Sequence, residues 1–147
     1  MRLAIFIEQN LPRILLEWDS FAETIFKGID KADRSLLRDH AREILSELVR
    51  EMKQRETQQE QTDKSKGDPS PHHPRESAAN VHGMVRHHDG VSVSELAAEF
   101  RALRASVLRL WLPEIPVTTK QVLVDIVRFN EAIDEALADS IATYENH

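Results

Sequence analysis

The sequence contains no cysteine. A disulfide framework, a zinc–thiolate site and thiol chemistry are thereby excluded. Glycine is scarce as well: Gly28, Gly67, Gly83 and Gly90 each stand alone and cannot build the glycine-rich loop that cradles a phosphate. No stretch approaches the roughly 18 uninterrupted apolar residues of a membrane span. At the N-terminus, Leu3-Ala4-Ile5-Phe6-Ile7 suggests the start of a signal peptide, but Glu8, Gln9 and Asn10 interrupt it at once. A basic excess is also missing. The 25 acidic and 19 basic residues leave a net charge of −6, the wrong sign for binding nucleic acid or an anionic membrane as the main task. Together these absences point to a soluble, cytoplasmic chain.

What is present favours helix. Hydrophobic residues at 41% and charged residues at 30% suit a soluble globular protein. Ala, Leu, Glu and Arg, all strong helix formers, are abundant. A length of 147 residues matches one domain with a single core. From Gln54 to Glu76 there is no aliphatic, aromatic or methionine side chain. Such a segment cannot bury enough apolar surface to offset its ordering entropy. It is expected to be a polar linker at 54–76, with a first half able to extend a helix into solvent. The second half, Gly67 to Pro74, is expected to be a mobile loop.

On both sides of this linker the apolar spacing is helical. Leu3, Phe6 and Ile7 form a short first helix, and Pro12 sits where a second begins. Ile14, Leu15, Trp18, Phe21, Ala22, Ile25 and Phe26 continue it until Gly28 and Asp30. A third helix starts near the candidate N-cap Asp33 and carries Leu37, Ala41, Ile44, Leu48 and Met52. Beyond the linker, Ala78 to Val85 form a short helix stopped by Gly90. Ser92-Val93-Ser94-Glu95 and Thr118-Thr119-Lys120-Gln121 read as capping boxes. The first opens a helix with Leu96, Phe100, Leu103 and Val107 on one face, ended by Pro113 and Pro116. The second opens the last helix, roughly 40 Å long, with Val122, Ile126, Phe129, Ile133, Leu137, Ile141 and Tyr144 in near-heptad order. The expected fold is all-α: an antiparallel bundle of four substantial helices plus short ones.

Chemistry is harder to find. His72 and His73 lie in the proline-rich loop. His87 and His88 are adjacent, so a helix points them apart, whereas helical zinc ligands stand three or four residues apart. No metal site is expected. His40 and His82 are candidates for phosphoryl acceptance, but neither His40-Ala41-Arg42-Glu43-Ile44 nor His82-Gly83-Met84-Val85-Arg86 carries the usual phosphoacceptor context. No nucleophile–base pair is identifiable from spacing, and the chain reads as non-catalytic. Arg104 lies between Phe100 and Val107/Leu108 on a mostly apolar helix. Partly buried, it needs an anionic partner, with Asp125, Glu131, Asp134, Glu17 and Asp19 as candidates. The alternative is a surface arginine whose stem lies over the core.

Several segments resemble one family. Glu99-Phe100-Arg101-Ala102-Leu103-Arg104 through Trp111, followed by Arg128-Phe129-Asn130-Glu131-Ala132-Ile133-Asp134, is similar to the RsbRD-like N-terminal domain. Glu17 to Ala22, Leu37 to Ala41, Lys64 to Gly67, and His82-Gly83 with Arg86 look like the same family. The likeness runs in order over nearly the whole chain. It implies a sensory input module of the kind that precedes the kinase core in bacterial sensor histidine kinases. It also implies kinship with co-antagonists of general-stress signalling. Arg101, Arg104, His82, Arg86, Asn130, Glu131 and Asp134, which lie in these segments, become the candidate ligand or regulatory residues. The resemblance admits a globin-like arrangement. No cofactor is expected, since no motif selects either His40 or His82 as a haem ligand. The last helix of such a domain normally continues into a dimeric signalling helix and a kinase core. Here the chain stops at Asn146-His147, as an excised domain or a stand-alone relative would.

Three function classes follow. A sensory input domain is favoured, passing a state change through the last helix to a kinase core or another signalling protein. A histidine phosphotransfer bundle and a ligand-free adaptor bundle are the alternatives. Beyond about Leu137 the apolar stripe of the last helix is expected to outrun its neighbours, leaving it to pair in parallel with its copy in a homodimer.

Overall fold

The computed structural model describes residues 1–25, 31–65 and 77–146, and their side chains apart from 25, 31–34 and 55–65. Among the described residues there are six α-helices and no strand, as the apolar periodicity requires. They are α1 (Leu3–Gln9), α2 (Leu11–Ile25), α3 (Lys31–Ser65), α4 (Ala78–His88), α5 (Val93–Trp111) and α6 (Lys120–Glu145). A 3-10 turn, Leu112–Glu114, follows α5. The expected helical extension of the polar segment is present, since α3 runs on to Ser65. The expected loop from Gly67 to Pro74, and the stop at Gly28 and Asp30, lie outside the described residues.

Local chemistry sets the helix ends. The Ser92–Glu95 capping box is formed: the Glu95 N–H donates to Ser92 Oγ at 3.1 Å, and the Ser92 N–H to Glu95 Oε1 at 3.2 Å. The second expected box is not. Thr119, rather than Thr118, caps α6, accepting from the Val122 N–H at 3.2 Å. The third helical residue is therefore Val122, which has no polar group to reach back. α4 ends in a Schellman motif built on Gly90, whose φ of 74° falls in the left-handed region that suits glycine. The Gly90 N–H donates to His87 O and the Val91 N–H to Arg86 O, satisfying carbonyls the helix leaves over.

The core draws on every helix: Phe6 and Ile7 from α1, Ile14 and Trp18 from α2, Ile44 and Leu48 from α3, Ala79 from α4, Phe100 and Trp111 from α5, Phe129 and Ile133 from α6. α2 packs on α5 and α4 on α6, while α3 touches α1, α2, α4 and α6. The start of α1 is held from afar. Asp125 on α6 accepts the Leu3 N–H at 3.0 Å and three bonds from the Arg2 guanidinium at 2.8, 3.0 and 3.1 Å. A carboxylate at that position satisfies an orphan N–H and meets the positive end of the helix dipole.

Two more expectations are corrected. α3 is already helical at Lys31, so Asp33 lies inside it and is not its N-cap. The end of α6 does not outrun its neighbours, because α4 lies along it. Ser140 is fully buried, and Leu137, Ile141 and Tyr144 pack against the core. The Tyr144 hydroxyl donates to Val91 O at 2.5 Å, and Thr143 Oγ1 donates to Asn80 Oδ1 at 2.9 Å. The large apolar side chains that α6 exposes are in its first half, Leu123 and Val127.

Candidate functional site

The inward face of α4 consists of Ala79, His82, Gly83 and Arg86. These positions follow the i, i+3, i+4, i+7 spacing of a core-facing stripe, yet two of the four are ionisable. Both are about 3% exposed, as is Glu99, which faces them from α5. Glu99 stands on the stripe of Leu96, Phe100 and Leu103, where an apolar residue would be ordinary. Its carboxylate meets His82 Nε2 through one oxygen and the Arg86 guanidinium through the other. The Arg86 contact is an ion pair without aligned hydrogen-bond geometry. The Glu99 backbone carbonyl accepts from Trp18 Nε1 at 3.3 Å, which ties in α2.

His40 completes the cluster from α3. Its Nδ1 lies 3.1 Å from His82 Nδ1, with the rings nearly perpendicular. Phe100 closes the other side of His82, edge to face at 6.1 Å between centroids. Protonation follows from these contacts. Glu99, paired with Arg86, is a carboxylate and only accepts, so His82 Nε2 carries the hydrogen. With both rings neutral, the remaining lone pair of His82 is on Nδ1, and His40 donates to it from its own Nδ1. A chain of directed hydrogen bonds thus runs from His40 through His82 to Glu99. Burial holds His40 below the ordinary imidazole range. His82 and Arg86 push the same way, against weaker opposing pulls from Glu43 and Glu99.

A small cavity of about 10 Å³ adjoins the cluster, lined by Trp18, Leu37, Ala41, Ile44, His82, Glu99, Phe100 and Leu103. That is about the space of a single water. Among the described residues, the buried serine hydroxyls bond to backbone: Ser106 donates to Ala102 O at 2.8 Å and Ser140 to Ala79 O. Among the described residues, no group of three or more His, Asp or Glu is placed to hold a metal ion. What the cluster can do is hold, orient and exchange protons across the α3–α4–α5 junction.

The seven candidates from the sequence fall in two places. His82 and Arg86 belong to the buried cluster. Arg104 pairs with Asp134 across α5 and α6, which selects one of its five possible anions. Asn130, one turn before Asp134, is half-buried, with its Oδ1 lacking a hydrogen bond. Arg101 and Glu131 are exposed and lie outside the cluster. The other anions considered for Arg104 serve elsewhere: Asp125 with Arg2, Asp19 with Arg38, Glu17 with Arg109. Of the two histidines weighed as phosphoryl acceptors, His82 has both ring nitrogens engaged, whereas His40 keeps Nε2. Glu99, the anion that organises the site, was not singled out. The available signal was an acidic residue on the apolar stripe of α5.

The family described as "RsbT co-antagonist protein rsbRD N-terminal domain" matches residues 19–147. The chain belongs to this family. No curated protein and no solved structure matches it. The RsbRD N-terminal family is one of stress-signalling co-antagonists, regulatory rather than catalytic. Its matched region contains the whole His40–His82–Arg86–Glu99 cluster. α1, which Asp125 anchors, precedes it. No described helix of this family member is long and apolar enough to cross a membrane.

Proposed function

We propose that the chain is a regulatory input domain of cytoplasmic stress signalling, whose state is set at the junction of α3, α4 and α5. It acts without a resident cofactor and passes its state to a partner, either a kinase core or another signalling protein. The observation that carries this reading is the buried cluster of Glu99, Arg86 and His82, joined by the half-buried His40. A buried ion pair is a weak source of stability compared with apolar packing. A core that retains one, with two histidines attached, has something to gain from polarity other than cohesion.

α6 is the proposed output element, because α4 links it directly to the cluster. Self-association is part of the proposal. The exposed Leu123 and Val127 on α6 offer it an apolar surface, in place of the covered end of the helix.

The experiment replaces the native gene with a Glu99→Gln version in its own host and reads stress-responsive transcription. A changed set point with normal protein levels supports the reading. Unchanged output from both this variant and a deletion of the gene overturns it.

A further inference from the structure

We propose that His40 and His82 form a proton-operated latch between α3 and α4, closed while the pair is neutral and opened when both rings are protonated. The proposal rests on the regulatory reading above and names protons as the stimulus.

The geometry leaves little freedom. Two Nδ1 atoms 3.1 Å apart require one N–H and one lone pair between them. Glu99 fixes which ring supplies which. One added proton can settle on His40 Nε2 without breaking a hydrogen bond. A second has to go to His82 Nδ1, where it sets two N–H donors face to face and the contact fails. Charge works in the same direction. Glu99 and Arg86 already meet as an ion pair, so an added proton brings a charge that burial penalises, fully at His82 and in part at the half-buried His40. Among the described residues, the charged groups acting on His40 are Glu43 on its own helix, Arg86 on α4 and Glu99 on α5. Glu43 and Glu99 favour the proton, and Arg86 opposes it together with burial and the second ring. The balance holds His40 below its ordinary value of 6.5. A group depressed in the closed state favours closure above that ordinary value, and this contribution is lost as the pH falls through the closed-state value.

The moving part is α3. His82 stays with Arg86 and Glu99, and α4 stays fastened to α6 through Gly83 against Ser140, Thr143 with Asn80, and Tyr144 with Val91. A second tie from α3, the Glu47 carboxylate accepting the Ala78 N–H at 2.8 Å, does not depend on the histidine pair. It limits the opening to a partial separation. Trp18, whose indole donates to Glu99 O, lies beside the cavity and senses the change.

The test is a pH titration of the ¹⁵N-labelled chain by NMR, reading the tautomer and charge of both rings. Amide hydrogen exchange of α3 is followed in parallel, corrected for its intrinsic pH dependence. At neutral pH the expected pattern is Nδ1–H on His40 and Nε2–H on His82. On acidification, α3 loses about tenfold in protection for each unit that separates the closed and open pKa values. His40→Asn cannot titrate, and its amide can offer an N–H to neutral His82 or its oxygen to protonated His82, so the acid-dependent loss should vanish. The opposite tautomers, or the same acid response in wild type and His40→Asn, would overturn the latch. The tautomer reading needs only the wild-type chain and stands if the variant does not fold. A failed latch with an altered Glu99→Gln output leaves the regulatory reading intact. An unchanged output from Glu99→Gln and from deletion removes that reading whatever the titration gives.

Discussion

Gly83 on α4 lies so close to Ser140 on α6 that a β-carbon at position 83 would stand 2.1 Å from the Ser140 carbonyl oxygen. The obstacle is backbone, not the end of a flexible side chain. Gly83→Ala is therefore expected to force α4 off α6, although alanine by itself favours helix by about 1 kcal/mol. The net loss should be about 1–3 kcal/mol, read by urea denaturation. An unchanged midpoint would show that the two helices do not pack this closely in solution.

Removing Glu99 while keeping Arg86 takes away the carboxylate that meets this buried cation. Glu99→Leu should destabilise by about 3–5 kcal/mol. Pairing it with Arg86→Met removes both charges, and the double variant should recover most of that loss. A double-mutant cycle by chemical denaturation decides it, and additive effects would mean that the two residues are not coupled.

Asp125 gives a separate acid signature. Burial pushes its carboxyl upward, but the Arg2 side chain, the Leu3 N–H, the Arg2 charge and Gln121 together outweigh this and hold it below the usual carboxylate range. With the folded value depressed, the stabilisation is present above the unfolded value and lost as pH falls through the folded one. Wild type should lose stability below about pH 4 in part through this group. Asp125→Asn should flatten that part of the profile and loosen α1 at all pH values, seen as faster amide exchange in residues 3–9.

Arg104 is expected to matter little for stability. Its ion pair with Asp134 is surface-weighted, the aspartate being 65% exposed, and such pairs contribute at most about 1 kcal/mol. Arg104→Met should stay within that margin in a thermal melt. A larger loss would point to its buried Nε as the group that matters.

Much of the fold was legible because its causes are local. The Ser92–Glu95 box spans one turn, and the Gly90 stop needs only a residue that tolerates positive φ. The cap of α6 falls one position beyond the expected Thr118 because two adjacent threonines are chemically equivalent as caps until the helix axis is fixed. The covered end of α6 differs from expectation for another reason. Its apolar stripe is the same whether α4 or a second chain lies on it, and nothing in the α4 sequence says which helix it will meet. The site was half legible. His82 and Arg86 were selected through a family likeness, and Arg104's partner was among the five anions considered. Glu99 stayed hidden because its role depends on two residues of another helix and one of a third.

By itself, then, the sequence determined that this chain is helical, where most helices start and stop, and which faces are apolar. Periodicity, capping chemistry and backbone preference act over a few residues and do not depend on what lies across the core. Only the tertiary structure decided that Glu99, His82 and Arg86 share one buried junction with His40 at its edge, that α4 covers the end of α6, and that Arg2 and Asp125 close the N-terminus. Charge compensation and close packing are pairwise properties. They arise only when folding brings distant residues within a few ångströms of each other.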